Sequence, residues 1–177
     1  MHKRHTLPLL LTILAICAPA LAQDAPLVVL VVRHAEKATD HPTDPNLSEA
    51  GFKRAQELVN VAAAAEVSAI YTTQYKRTQQ TAQPLAERLN LAPVKMEITR
   101  ENTAGFPAAL AKELRAKHLG RTVLVVGHSN TVPQIVEALG GPRPPAIDEA
   151  NEFDRLMIVI VPKKGKTRVI QARYGGK

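Results

Sequence analysis

The chain holds one cysteine, Cys17, in 177 residues, no tryptophan, and only three phenylalanines and three tyrosines. A single thiol cannot pair within the chain, which excludes a disulfide framework and any cysteine-based zinc site. So few rings leave no stacking platform for sugars or single-stranded nucleic acid. Compact metal-ligand spacings of the His-Glu-x-x-His kind are missing too. No repeat, long linker or low-complexity stretch breaks residues 23–177. What is present is a globular composition, 45% apolar and 22% charged, at a length that suits one domain able to bury a core without covalent staples.

The opening residues read as a leader. His2, Lys3, Arg4 and His5 form a basic start, Leu7 to Ala18 an apolar run, and Ala20-Leu21-Ala22 a small-x-small cleavage pattern. The run is shorter than the ~20 residues that span a bilayer as a helix. Residues 1–22 are therefore expected to be a signal peptide, and 23–177 an exported domain, periplasmic or secreted, with no stable membrane insertion after cleavage. An acylated Cys17 is disfavoured because Ile16 stands where a small residue is wanted. Removing Lys3 and Arg4 from the 23 basic residues leaves 21 against 16 acids, net +5. That excess suits anionic ligands, although much of it clusters from Lys163 to Lys177, as a solvated edge would. Nucleic acid is not indicated, and the domain is expected to be a monomer.

Along the mature chain, Leu27 to Val32 is a continuous β-branched and apolar run, the pattern of a strand buried on both faces. Ser48 is placed to cap a helix carrying Phe52, Ala55, Leu58, Val59 and Ala62 at helical spacing. A strand at Ser68 to Thr72 and a helix from Lys76 to Leu89 follow, with Pro84 expected to kink or restart it. Val94, Met96 and Ile98 alternate as a half-exposed strand, and Phe106, Leu110 and Leu114 mark another helix. Thr122 to Val126 is a second fully apolar strand, leading into a helix that ends at Gly140-Gly141. Leu156 to Val161 and Thr167 to Ala172 read as a closing antiparallel pair. Such alternation predicts an α/β fold, a mainly parallel central sheet with helices on both faces and an antiparallel edge near the C-terminus. Sites on such sheets lie outside the carboxyl ends of the strands.

Two of the apolar strands run into histidine there. Val32 precedes Arg33-His34-Ala35-Glu36-Lys37, and Val126 precedes Gly127-His128-Ser129-Asn130. With Arg77 just past the strand ending at Thr72, two imidazoles and two guanidiniums share one rim. Such cationic groups repel unless an anion lies between them. Arginine forks match phosphate oxygens, and a neutral histidine is a competent nucleophile towards phosphorus.

These segments, together with Asn46-Leu47-Ser48-Glu49-Ala50-Gly51 and Thr72-Thr73-Gln74-Tyr75-Lys76-Arg77-Thr78-Gln79-Gln80-Thr81-Ala82, resemble in content and order the histidine phosphatase superfamily, also called phosphoglycerate mutase-like. The resemblance spans nearly all of residues 27–161. It implies a three-layer α/β/α sandwich and a phosphohistidine intermediate without metal or other cofactor. Carried over, it makes His34 the nucleophile and gives Arg33, Arg77 and His128 the transferred phosphoryl oxygens. His34 then needs one ring nitrogen fixed by an acceptor such as a backbone carbonyl, and its cationic neighbours should keep it neutral. The leaving alcohol needs a proton. One branch of the family carries that acid directly after the second histidine, where this chain has Ser129. Another carries it after the third strand, which points to Glu101, with Glu36 as the competitor unless Arg33 holds it in an ion pair. Ala35 stands where the family commonly has glycine, and its methyl should narrow the approach to His34.

The remaining polar groups have bland readings: His118 solvated at a helix end, His41 on a loop at the mouth of the site, Ser129 and Asn130 as helix caps. Gly127-His128-Ser129-Asn130-Thr131 imitates a serine-hydrolase elbow, but no histidine follows Ser129 to complete a triad. An exported metal-binding module built on His34, Asp40, His41 and His128 is a weaker reading. A non-catalytic phosphate-binding relative stays open beside the phosphatase. Short segments between Glu36 and Ser48 and between Thr99 and Phe106 leave no cap domain, so the site should be open to a small-molecule or envelope phosphate ester.

Overall fold

Strand β1, Leu27–Arg33, is buried along nearly its whole length, and its side chains alternate between two cores. The computed structural model describes residues 25–175; the expected leader, residues 1–22, lies outside them. Leu27, Val29 and Val31 join Phe106, Leu110, Leu114, Val132, Ile135 and Val136 on one face. Leu30 and Val32 join Leu58, Ala62, Ala82 and Leu85 on the other. The helices supplying these residues are α3 (Phe106–Lys117) and α4 (Thr131–Ala138) on the first face, and α1 (Glu49–Ala62) and α2 (Lys76–Leu89) on the second. The result is the expected three-layer α/β/α arrangement.

The sheet adds β2 (Val67–Thr72), β3 (Val94–Lys95), β4 (Thr122–Gly127), β5 (Arg155–Val161) and β6 (Arg168–Arg173), in the order β3-β2-β4-β1-β5-β6. Pairings from β3 to β1 are parallel. Those of β1 with β5 and of β5 with β6 are antiparallel, which makes the expected antiparallel edge two strands wide.

Three local expectations are corrected. Helix α2 does not restart at Pro84 but continues through it as one element. Strand β3 pairs only at Val94 and Lys95, with Tyr71 and Thr72. Beyond it, the Gln74 side chain holds Ile98 by both backbone groups instead of a ladder, at 2.7 and 3.0 Å. In α1 the buried stripe is Gly51, Ala55, Leu58 and Ala62, so Phe52, one residue off the stripe, is exposed.

Ser48 caps α1 as expected, accepting from the Gly51 amide at 3.1 Å. The helix start is pressed against the loop after β1, where Ser48 donates its amide to the Glu36 carbonyl at 2.9 Å. A Cβ on Gly51 would lie 2.2 Å from that carbonyl oxygen. Glycine is required there for close approach.

Candidate active site

Parallel pairing sets Arg33 at the end of β1 opposite Gly127 at the end of β4, and the His34 amide donates to the Gly127 carbonyl at 2.9 Å. His34 and His128 therefore leave the sheet side by side, with ring centroids 5.4 Å apart. Both are buried. The Nδ1 of His34 lies 2.8 Å from the Ala35 carbonyl oxygen. A carbonyl only accepts, so Nδ1 carries the hydrogen and Nε2 keeps its lone pair. Burial pushes the His34 imidazole down to about 3, and His128, Arg33 and Arg77 push the same way against the Ala35 hydrogen bond. The cationic neighbours invoked from the sequence thus act, but desolvation is the larger cause. Burial likewise takes His128 down to about 4, followed by Arg77 and Arg33. Its Nε2 is 3.1 Å from the Thr73 hydroxyl, and its amide donates to the Thr131 hydroxyl at 2.9 Å.

Arg77 comes from the first turn of α2. Its guanidinium stacks on Tyr75, 4.2 Å from the ring centroid, and Tyr75 in turn meets His128 edge-on at 5.5 Å. Thr81, one turn on, bridges this helix to the loop carrying His34: its hydroxyl accepts from the Ala35 amide at 2.9 Å and donates to the Arg77 carbonyl at 2.7 Å. Ala35 itself is buried with Leu47 and Ala55. Its methyl packs into that small core instead of narrowing the approach to His34.

Arg33 occupies a different position from the other three groups. It is 1% exposed, lies over Phe153 at 4.0 Å, and is not among the residues lining the cleft. Its Nη1 donates to the carbonyls of Asp148 and Glu152 at 3.1 and 3.0 Å, and its Nη2 to that of Glu149 at 2.8 Å. Those bonds hold the loop that leads into β5. The Nε atoms of Arg33 and Arg77 are both buried without a partner, a costly arrangement unless a ligand completes it.

The cleft has a volume of about 550 Å³, and its lining includes His34, Arg77 and His128 together with Lys37, Arg100 and Glu149. Glu101 is not brought into it. The turn carrying Thr99, Arg100 and Thr103 points those residues inward and leaves Glu101 exposed. A hydrogen bond with Thr99 holds the Glu101 carboxyl below the usual range. Glu36 is in an ion pair, as weighed from the sequence, but with Arg54 instead of Arg33: Nε and Nη2 of Arg54 contact both its oxygens at 2.7 to 3.0 Å.

Other expectations shift as well. His118 is half-buried and hydrogen-bonded through Nε2 to the Tyr71 hydroxyl at 2.9 Å, not solvated. His41 is on an exposed loop, its Nδ1 accepting from the Thr43 and Asp44 amides, and does not line the cleft. Neither Ser129 nor Asn130 caps α4 with its side chain; Ser129 directs its hydroxyl to Glu149 at 3.4 Å. Among the described residues no group of three or more His, Cys, Asp or Glu side chains is gathered to hold a metal ion. Sequence reasoning passed over Lys37, although it stands inside the motif containing His34. Glu149 carried no local signal, because its loop reaches the cleft only through the Arg33 hydrogen bonds.

Residues 29–106 match the family model described as the histidine phosphatase superfamily (branch 1). No curated protein matches the sequence. Among solved structures, the protein histidine phosphatase SixA complexed with tungstate is 20% identical, over 82% of this chain and 96% of its own, with a TM-score of 0.62. The fold is that of the histidine phosphatases. Two further proteins of this fold are similar to the chain. A mycobacterial glucosyl-3-phosphoglycerate phosphatase is 15% identical over 84% of this chain and 99% of its own, with a TM-score of 0.62. A phosphoserine phosphatase variant from Entamoeba histolytica, in complex with phosphoserine, is 14% identical over 84% and 96%, with a TM-score of 0.61. On this histidine phosphatase scaffold, the paired histidines and Arg77 stand at the carboxyl ends of β1, β4 and β2, where open α/β sheets hold their ligands.

Proposed function

We propose that the protein is a phosphomonoester hydrolase of the histidine phosphatase type, with His34 as nucleophile. The observation that carries this reading is the His34 ring itself: buried, kept neutral, its Nδ1 hydrogen fixed on the Ala35 carbonyl, beside Arg77 and His128 in one cleft. In the first step the lone pair on Nε2 attacks phosphorus, the N–P bond forms and the ester P–O bond breaks. Arg77 and His128 donate to the phosphoryl oxygens as charge shifts onto the leaving group. Arg33 lies outside the cleft lining and acts through the loop it holds. In the second step water attacks phosphorus, the N–P bond breaks and orthophosphate leaves. No metal enters either step. The Arg77 Nε, buried without a partner on a residue that lines the cleft, supports an anionic ligand independently of any family resemblance.

The proposed setting is exported, supported by the basic start, the apolar run and the Ala20-Leu21-Ala22 cleavage pattern. The ligands are small phosphate esters, the working form is a monomer, and nucleic acid plays no part. No helix among the described residues is long and apolar enough to cross a membrane.

The test is turnover of an aryl phosphate, with a chelator present. Wild-type protein should hydrolyse it and yield an acid-labile, alkali-stable phosphoenzyme. His34→Ala should abolish both, and Arg77→Ala should slow turnover by about 10²–10³-fold, as the loss of one charge-stabilising donor does elsewhere. Phosphate binding without turnover by the wild type assigns the non-catalytic reading instead.

A further inference from the structure

Beside the cleft lies a second cavity of about 350 Å³. The two share Ser129, Asn130 and Glu149 and differ in everything else: His34, Arg77 and His128 are on one side, Pro133, Ile147 and Arg143 on the other. The shared wall is where the bridging oxygen of an ester would sit, if its phosphoryl group faced His34 and its alcohol filled the second cavity. Arg143 is ion-paired with Glu137 at 3.2 Å, and the second cavity sets apolar Pro133, Pro144, Ala146 and Ile147 beside polar Gln134, unlike the cationic cleft.

Glu149 is the one carboxylate lining the cleft among the described residues. Its exposed carboxylate is met from two directions, by the Ser129 hydroxyl at 3.4 Å from Oε2 and by Lys37 Nζ at 3.8 Å from Oε1. Its backbone is held more firmly, by the Arg33 guanidinium on its carbonyl and on those of Asp148 and Glu152. A buried arginine adjacent in sequence to the nucleophile thus fixes the loop that carries the acid.

Resting on the phosphatase reading, we infer that Glu149 is the proton donor to the leaving alcohol, and that the substrate is a phosphate monoester of an aliphatic alcohol seated in the second cavity. As the His34 N–P bond forms and the ester P–O bond breaks, the Glu149 carboxyl gives its proton to the departing oxygen, and a neutral alcohol leaves. The resulting carboxylate then takes a proton from the water that attacks phosphorus, the N–P bond breaks, and the carboxyl is restored.

The experiment compares Glu149→Gln with wild type on 4-nitrophenyl phosphate and on glycerol phosphate. A nitrophenolate leaves without a proton and an alkoxide does not, and general acid catalysis is worth about 10²–10⁴-fold. In a single turnover, Glu149→Gln should therefore slow phosphoenzyme formation from glycerol phosphate by about 10²-fold or more, while changing phosphoenzyme formation from the nitrophenyl ester by less than about threefold. Equal loss on both esters, or loss on neither, overturns the assignment while leaving His34 chemistry intact. Absence of wild-type turnover, or turnover that survives His34→Ala, overturns the phosphatase reading itself and the acid with it. For the second cavity, Gln134→Trp intrudes from α4 and should raise KM for the alkyl ester about tenfold, without altering inhibition by inorganic phosphate. An equal effect on both, or on neither, removes the alcohol from that cavity.

Discussion

Two neutral, buried histidines make stability depend on pH in a range where few other groups titrate. His34 is pushed down to about 3 and His128 to about 4 in the folded protein, whereas an unfolded histidine titrates near ~6.5. Below about pH 6.5 the unfolded chain binds protons that the folded chain refuses, so stability falls as pH falls. Each group contributes about 1.4 kcal/mol per pH unit below ~6.5. At pH 5 that amounts to about 2 kcal/mol for each ring, or about 4 kcal/mol for the pair relative to pH 7.5. His118, also lowered by burial, adds a smaller loss of the same sign. The carboxyls held low by hydrogen bonds, among them Asp148 and Glu152, start from ~4 and titrate below this window. The measurement is urea unfolding at pH 5 and pH 7.5, for wild type and for a His34→Asn, His128→Asn double variant. Wild type should lose about 4 kcal/mol or more between the two conditions, and the double variant no more than about 1 kcal/mol. If the double variant loses as much as wild type, the two rings are not held neutral by burial, and the account of His34 as a ready nucleophile loses its basis.

The remaining predictions concern the scaffold of the site. Gly51→Ala places a methyl 2.2 Å from the Glu36 carbonyl oxygen, a backbone atom that cannot rotate away. It should destabilise the fold by about 3 kcal/mol in urea unfolding, at the upper end of overpacking costs. Glu36→Gln strips Arg54 of its half-buried partner and should cost about 2 kcal/mol, a charged hydrogen-bond pair's worth. It should leave the relative rates on aryl and alkyl phosphates as in wild type, since the carboxylate is held away from the cleft by Arg54; a selective loss on the alkyl ester would reinstate Glu36 as the acid.

Much of this protein could be read from residue order. Strands buried on both faces need unbroken apolar runs, and Leu27 to Val32 and Thr122 to Val126 supply them, so the central pair β1 and β4 and the parallel architecture followed from local pattern. Parallel strands put their carboxyl ends on one side, which places His34, His128 and Arg77 on a common rim from residue order alone. The need of a neutral imidazole for a fixed acceptor was legible as well, and Ala35 supplies it with the adjacent carbonyl. Phe52 marks where local pattern stops: helical spacing admits two neighbouring stripes, and only packing against the loop after β1 selects the one that contains Gly51.

Side-chain partners were decided by tertiary structure. Glu36 is three residues from Arg33 in sequence, yet it pairs with Arg54, because α1 crosses the end of β1 with that side chain facing it. Glu101 and Arg100 are neighbours, yet only Arg100 enters the cleft, because a tight turn sends consecutive side chains to different faces. Glu149 is 115 residues from His34 and reaches its cleft only through a loop drawn in by the buried guanidinium of Arg33. Sequence pattern reports which face of an element meets the core, since burial recurs with the period of the backbone. Which ion meets which, across loops with no period, is settled only when distant segments are brought within hydrogen-bonding distance.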